Sequence, residues 1–218
     1  MPTGSVLPPP AARTPRIDVR RRVLEAAAAE FTERGYAEAS LATIARRAGF
    51  TKGAVYSNFE SKQALLADVL LERAVEVIEG ALARLTTRRA GVDTLAARAG
   101  AVLADQVAVA APWHALTAEL GLQAGRDPLA AEAYRRFRTA QRAVLVETLT
   151  RRSDALGLPP GTALDHAALV LLAVLNGLAI EHAADPTALD RAAMAEVLTQ
   201  VLAGLIHTAG HRSGGAPS

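Results

Sequence analysis

Two short helices separated by a glycine turn are predicted in residues 40–59, SLATIARRAGFTKGAVYSNF. Ser40 and Thr51 stand where helix N-caps belong, because their side-chain oxygens can accept hydrogen bonds from free backbone N–H groups. Gly49 lies between the two segments and can adopt the positive φ that ends a helix. The pattern is typical of a helix-turn-helix. The two predicted helices are Leu41–Ala48 and Lys52–Phe59.

The second of these helices has an apolar side and a polar side when its residues are placed at 100° intervals. Val55 and Phe59 share the apolar side, which we expect to be buried. The other side carries small or hydrogen-bonding residues and no acid: Lys52, Gly53, Tyr56, Ser57 and Asn58. Such a face suits the major groove of DNA, which admits one helix and presents hydrogen-bond donors, acceptors and thymine methyl groups. The alternative is an ordinary solvated surface.

The positive charge of the chain is concentrated near its N-terminus. Residues 1–62 contain ten Lys or Arg and six Asp or Glu, whereas the remainder contains fourteen and sixteen. A basic front part favours a polyanion as its partner. Residues 1–16 include five prolines and are predicted to form a disordered basic arm. The arginines at 20, 21 and 22 either contact DNA or form a solvated cluster.

Most of the remaining sequence also predicts helix, because good helix formers dominate and apolar residues recur at steps of three and four. One predicted helix begins after Ser61, and residues 210–218 are predicted to be a disordered tail. The fold class is therefore all-α, with about nine helices. The other predicted helices are Ile17–Arg34, Asp93–Ala110, Trp113–Leu122, Pro128–Leu156, Ala163–Ala184 and Thr187–Thr208.

Several classes of function are disfavoured by what the sequence lacks. It has no cysteine, which excludes a disulfide framework and thiolate metal sites. The P-loop, GxGxxG, GxSxG, HExxH and Glu-x-x-His patterns are absent. We therefore expect no catalytic residue, no metal site and no cofactor. The longest apolar stretch, residues 167–180, has 14 residues. A membrane-spanning helix needs about 20 residues, so no membrane partner is expected.

The segment from residue 23 to residue 66 resembles the N-terminal domain of the tetracycline-repressor (TetR) family of bacterial regulators. The resemblance rests on Gly35-Tyr36, Ser40-Leu41, Ile44-Ala45, Ala48-Gly49-Phe50, Gly53-Ala54-Val55-Tyr56, Asn58-Phe59 and Ser61-Lys62. It implies a three-helix DNA-binding domain over residues 17–62 and a larger helical ligand-binding and dimerisation domain over residues 63–209. It further implies a cytoplasmic homodimer that binds a palindromic operator, most often a repressor released by a small-molecule effector.

The resemblance also assigns roles to individual residues. It places five residues at the DNA, namely Thr51, Lys52, Gly53, Tyr56 and Asn58, and three at positions that often hold phosphates, namely Ser40, Thr43 and Lys62. Many family members carry His or Tyr where Asn58 stands, a bulkier residue where Ser57 stands, and some carry Arg where Ala42 stands. The operator sequence is therefore expected to differ from theirs.

The last two long helices are the candidates for the dimer interface. Each carries an apolar stripe, and two such helices from each subunit can form a four-helix interface. The alternative is that the stripes fill the core of the monomer. The stripes consist of Leu169, Leu172, Ala173, Asn176, Gly177 and Ile180, and of Leu189, Met194, Val197, Leu198, Val201, Leu202 and Leu205.

A ligand pocket is expected in the C-terminal part, where polar or aromatic residues interrupt apolar helices. Aromatic residues make up only 4% of the chain, so we expect a modest apolar pocket with one or two polar anchors. The candidate lining residues are Trp113, His114, Tyr134, Phe137, His166 and Asn176.

Two other classes of protein fit a helical chain of this length. A helical adaptor would bind only protein and would lack salt-dependent binding to DNA. A small helical-bundle enzyme would show turnover. The polar face formed by Lys52 and Tyr56 argues against the adaptor, because a protein-binding groove would present apolar residues there.

Overall fold

A computed structural model describes residues 15–85, 91–158 and 163–212, and within these ranges it consists of nine α-helices and no strands. The fold class is all-α, as predicted. The predicted arm (1–16) and tail (210–218) fall almost wholly outside the described residues. The helices are α1 (Arg16–Glu38), α2 (Leu41–Ala48), α3 (Lys52–Tyr56), α4 (Lys62–Arg84), α5 (Val92–Val109), α6 (Ala111–Ala124), α7 (Pro128–Leu156), α8 (Leu164–Ala184) and α9 (Arg191–Arg212).

Side-chain caps fix the starts of the three helices that follow α1. Ser40, Thr51 and Ser61 precede α2, α3 and α4 and accept hydrogen bonds from the N–H groups of Ala42, Ala54 and Ala64 at 3.3, 3.3 and 3.0 Å. Gly49 ends α2 with φ of 76°, and Gly35 interrupts α1 with φ of 70°. These positive φ values favour glycine. The local signals in residues 35–61 therefore set the helix-turn-helix.

Several predicted helix limits are wrong: α1 continues past Arg34 to Glu38 across non-helical angles at Gly35, and α9 continues past Thr208 to Arg212. At two other limits a polar side chain explains the difference. α3 ends at Tyr56, not Phe59, because the Ala54 carbonyl accepts from Ser57 Oγ at 2.9 Å and Asn58 Nδ2 at 2.8 Å. These side chains replace the backbone donor that would continue the helix. α9 begins at Arg191, not Thr187, because Asp190 accepts from the N–H of Ala193 at 2.8 Å. Asp190 thus acts as an N-cap.

Buried side chains form two clusters that share α4. The first contains side chains of α1, α2, α3 and the start of α4, together with Leu116, Leu120 and Phe137 from α6 and α7. The second contains the end of α4 and side chains of α5, α7, α8 and α9. The division falls between Leu70 and Ile78, within one continuous helix. α4 therefore connects the helix-turn-helix mechanically to the C-terminal helices.

α5 and α9 pack closely because α5 has a glycine at their contact. A Cβ added to Gly100 would lie 2.7 Å from the Ala195 carbonyl oxygen and would also strike Thr199. Met194 and Leu198 of α9 are fully buried in the same contact. Both had been predicted in the dimer stripe, and their burial shows that this part of the stripe fills the monomer's own core.

α8 presents an apolar face to the outside. Leu169 is 49% and Ile180 is 50% exposed, and Ala173 and Gly177 between them are exposed too. Leu172 is turned inward, and Asn176 is partly buried. By length and composition alone, α8 with its 21 residues can cross a membrane, whereas the 14-residue apolar run within it predicts no membrane span. Such a helix also occurs in the cores and interfaces of soluble proteins.

Candidate functional site

The outer face of α3 is the first candidate site. Lys52, Gly53, Tyr56 and Ser57 are exposed, and Val55 and Phe59 on the opposite side are buried. The Lys52 ammonium lies 5.7 Å from the centre of the Tyr56 ring. Residues 39–59 contain no Asp or Glu. The face can therefore offer a cation, hydroxyl groups and a ring edge to a partner without an opposing negative charge.

Gly53 lies in the middle of this face, and the fold itself does not require a glycine there. A Cβ at this position would meet only the Thr51 hydroxyl, at 3.8 Å, which is ordinary van der Waals contact. A helical glycine costs roughly 0.5–1 kcal/mol relative to alanine. The missing side chain therefore leaves room on the outer side, where another molecule can approach the backbone closely.

The side chains of Asn58 and Lys62, both predicted to bind DNA, contact elements of the chain other than their own. Asn58 is partly buried, and its Oδ1 accepts from Arg16 Nε at 3.3 Å while its amide donates to the Ala54 carbonyl. Lys62 Nζ donates to the Ala37 carbonyl at 3.2 Å and lies 4.5 Å from the centre of the Tyr36 ring. Burial lowers the pKa of Lys62. Of the remaining predicted residues, Ser40 and Thr51 are exposed and Thr43 is partly buried.

Three arginines of α1 contact α3 and the two phenylalanines that flank it. Arg16 donates to the Ser57 carbonyl at 3.1 Å, Arg20 lies 4.9 Å from the Phe59 ring centre, and Arg22 lies 4.8 Å from the Phe50 ring centre. Such cation–π contacts stabilise the positions of both groups. The sequence interpretation considered Arg20 and Arg22 only as DNA contacts or solvated charges. The flanking positions of the two phenylalanines around α3 are the signal that could have indicated this role.

The second candidate site is a cavity of about 190 Å³ that is lined by residues of α4 to α9. Of the predicted pocket residues, Trp113, His114, Phe137 and Asn176 line it. Tyr134 does not, because its ring packs against Gly121 beside the first cluster. His166 does not either, because it is exposed on the outside of α8.

The polar groups of the cavity include several that the sequence did not indicate. His114 Nδ1 lies 3.2 Å from Asn176 Oδ1, and burial lowers the pKa of His114. Arg73, Gln106, Thr117 and Gln141 also line the cavity. Arg73 interrupts the apolar stripe of α4, which is the sequence signal that could have identified it. Among the described residues, no group of three or more His, Asp or Glu side chains could hold a metal ion.

Comparison with known proteins matches both halves of the chain to bacterial regulators. The family model described as "Bacterial regulatory proteins, tetR family" matches residues 23–69, and that described as "BetI-type transcriptional repressor, C-terminal" matches residues 101–207. Among curated proteins, the regulator SrpR of Pseudomonas putida is 43% identical over 56 residues, which are 26% of each protein. The A-factor receptor protein of Streptomyces griseus is 39% identical over 59 residues, which are 27% of this chain and 21% of that protein. The matches cover between 21% and 42% of the curated relatives' lengths.

Solved structures share the fold over almost the whole chain. Salmonella enterica GusR is 24% identical, with 89% of this chain and 98% of that chain covered and a TM-score of 0.57. Bacillus subtilis FadR, solved in complex with stearoyl-CoA, is 18% identical, with 86% and 99% covered and a TM-score of 0.55. The two family matches cover the helix-turn-helix and most of the helical C-terminal part, so sequence and structure indicate the same family. The chain belongs to the TetR family of bacterial transcriptional regulators.

Proposed function

We propose that this regulator is a homodimeric repressor that binds a palindromic operator in the cytoplasm and is released by a small-molecule effector. The observation that carries the DNA-binding part is the acid-free outer face of α3, in which Gly53 is not required by the fold. On this proposal residues 17–62 form the DNA-binding domain and residues 63–209 the ligand-binding and dimerisation domain. No catalytic step is involved.

The residues proposed to contact DNA fall into two groups. Lys52, Gly53, Tyr56 and Ser57 face outward and enter the major groove. Thr51, Ser40 and Thr43 lie at or near helix starts and bind phosphates, together with Lys62 if it leaves the Ala37 carbonyl. Asn58 orients the end of α3 through Arg16 and Ala54.

The dimer is proposed to form through α8, with α9 at its side. Leu169, Ala173, Gly177 and Ile180 form an exposed apolar stripe at helical spacing, and the small residues permit close helix approach. Val197 and Val201 of α9 extend the surface, whereas Met194 and Leu198 remain in the monomer core. Two copies of this surface bury each other's apolar groups with two-fold symmetry, which matches a palindromic operator.

Release follows from the position of α4. Its first half packs in the same cluster as the helix-turn-helix, and its second half lines the cavity. A ligand that displaces the cavity half tilts the helix and changes the separation of the two α3 helices. Operator half-sites lie about 34–36 Å apart, or one helical turn, so a changed separation weakens binding. The C-terminal match to a repressor family favours repression, although one relative, FasR of Mycolicibacterium smegmatis, is named an activator.

The test begins with selection of genomic DNA fragments by the purified protein, followed by sequencing. The expected result is one enriched near-palindrome. Affinities of the Lys52→Ala and Tyr56→Ala variants for that site are then measured by fluorescence anisotropy at several salt concentrations. Each variant should bind about tenfold or more weakly, as expected for the loss of one base or phosphate contact. Arg98→Ala, which removes an exposed charge from α5, is the matched control and should bind normally.

Two outcomes would reject the proposal. Absence of any enriched sequence, together with salt-insensitive binding, would favour the adaptor class instead. Equal loss of thermal stability and DNA affinity in both variants would mean that Lys52 and Tyr56 support the fold and do not contact DNA.

A further inference from the structure

We propose that the cavity binds an amphiphile with a linear apolar chain and an anionic head such as a carboxylate, with the head between Arg73, His114 and Gln141. This inference names the ligand class of the effector site and so rests on the function proposed above. It is carried by the distribution of polar groups along the cavity and by the sign of their charge.

The polar groups of the cavity lie together at one end. His114 contacts Asn176 of α8, and the Arg73 guanidinium of α4 lies 5.6 Å from the ring centre of the neighbouring Trp113. Gln141, one turn after Phe137 on α7, also lines the cavity and accepts from Arg138, whose charge adds to the effect of burial in lowering the pKa of His114. Four helices, α4, α6, α7 and α8, therefore bring their polar residues to the same place.

The other end of the cavity is lined by apolar side chains. The cavity residues of α4 continue from Arg73 to Leu85, and those of α8 from Asn176 back to Leu164. Each interval is twelve residues, or about 18 Å of helix. α4 and α7 meet at this far end, where Arg152 donates to the Leu82 carbonyl at 3.0 Å. The cavity is thus elongated, with a polar end and an apolar end, which is the shape of an amphiphile.

The charge at the polar end favours an anion. Among the described residues that line the cavity, none is Asp or Glu. Arg73 Nε is buried and has no hydrogen-bond partner in the described part of the chain, although Nη1 of the same residue donates to Glu76 at 2.6 Å. A second, partly buried guanidinium, that of Arg138, donates to Gln141 at 2.8 Å. Arg73 itself lines the cavity, and a carboxylate beside it would accept a charge-assisted hydrogen bond from the part of its guanidinium that borders the cavity.

A ligand with a cationic head should bind less favourably at the same end of the cavity. It would meet the Arg73 guanidinium and no lining carboxylate, and it would lose hydration without gaining a counter-charge from the cavity wall. A neutral hydroxyl head could accept one hydrogen bond from the guanidinium but would bring no negative charge to it, so its bond would be weaker than that of a carboxylate. The three heads can therefore be separated by affinity at constant chain length.

The experiment compares decanoate, decanol and decylammonium by isothermal titration calorimetry with the full chain and no DNA. The two ions are kept below their micelle concentrations and decanol below its solubility limit. Decanoate should bind one per chain. Decanol should bind about tenfold more weakly, the order of magnitude expected when a neutral acceptor replaces an anionic one beside a guanidinium. Decylammonium should show no saturable binding. Equal affinity for the three heads, or no binding of decanoate, would overturn the proposal.

Variants locate the head and the chain. Arg73→Gln should lower decanoate affinity to that of decanol and leave decanol unchanged. Ala167→Leu, which fills the apolar end, should weaken decanoate but not hexanoate. Leu122→Ser, on the exposed outside of α6, is the matched control for adsorption to the surface and should change nothing. If Arg73→Gln does not fold, the proposal is tested by the affinities of decanoate, decanol and decylammonium for the native chain and by the Ala167→Leu variant. An unchanged decanoate affinity in Ala167→Leu overturns the proposal.

A separate measurement distinguishes this inference from the proposed function. Decanoate is added to the complex with the selected operator, and DNA release is followed by anisotropy. Saturable binding of decanoate without release of the DNA would support the ligand class and would reject the proposal that this ligand releases the operator. Release by another compound, with no decanoate binding, would reject the ligand class alone.

Discussion

The two clusters of buried side chains differ in how they fill their space. The first is packed around Phe31, Ile44, Val55 and Leu65, each at most 1% exposed, and arginines of α1 hold α3 against it. The second surrounds a cavity of about 190 Å³. A dense core has one low-energy packing, whereas a hollow one can change shape when a ligand fills it. Because α4 belongs to both, a change in the hollow part can move the dense part as a unit.

The largest expected effect tests this difference in density directly. Leu65→Ala in the first cluster should lower the free energy of unfolding by about 3 kcal/mol, because it removes a fully buried side chain and leaves a new void. Leu149→Ala, at the cavity wall, should cost only about 1 kcal/mol, because the removed atoms already border empty space. Urea unfolding followed by circular dichroism measures both. Equal costs would mean that the cavity is closed in solution.

The second prediction tests whether the helices of the C-terminal part are loosely packed everywhere or only around the cavity. The expected change in the free energy of unfolding is about 2 kcal/mol. Gly100→Ala places a Cβ 2.7 Å from the Ala195 carbonyl oxygen and should lower the free energy of unfolding by roughly 1–3 kcal/mol through overpacking of α5 on α9.

Gly80→Ala is the matched control, because Gly80 is also helical and has nothing within 4 Å of an added Cβ. It should raise the free energy of unfolding by roughly 0.5–1 kcal/mol, since alanine loses less entropy in a helix. Thermal unfolding of the pair gives opposite signs if the α5–α9 contact is tight. A gain in both variants would show that α9 can move away from α5.

The same contrast explains what the sequence could predict. The helix-turn-helix depends on local signals, such as the Ser40 and Thr51 caps and Gly49, which act over a few residues and confirm the predicted starts of α2 and α3. The end of α3 was mispredicted because the side chains of Ser57 and Asn58 compete for the Ala54 carbonyl, which residue type alone does not show.

The cavity depends instead on how six helices are rotated against one another. His114 and Asn176 are 62 residues apart and meet only because α6 packs on α8. Tyr134 and His166 are also an aromatic and a polar residue in helices of the C-terminal part. The Tyr134 ring nevertheless packs against Gly121, and His166 is exposed on the outside of α8. Helical periodicity assigns a residue to a face and leaves open which neighbour that face meets. The roles of the predicted DNA-binding residues and of the predicted cavity residues remain predictions, which the DNA-binding and ligand-binding measurements described above test.

The smallest expected effect concerns protonation inside the hollow region. Burial holds the pKa of His114 below its ordinary value of 6.5, with the Asn176 hydrogen bond opposing the shift and the Arg138 charge adding to it. The unfolded chain therefore binds more protons at this residue than the native chain does as pH falls through 6.5. The native state should lose stability as the pH is lowered from neutrality toward the folded-state pKa, and the loss should level off below that pKa.

Thermal unfolding midpoints at pH 8 and pH 5.5, compared between the native protein and His114→Gln, isolate this contribution from those of other groups. The midpoint should fall less with pH in His114→Gln, because the imidazole that must be kept neutral is gone. His166→Gln, which removes an exposed imidazole from α8, is the matched control and should follow the native protein. If His114→Gln shows the full native fall in midpoint, the His114 ring is hydrated in solution, and the polar end of the cavity is open to water.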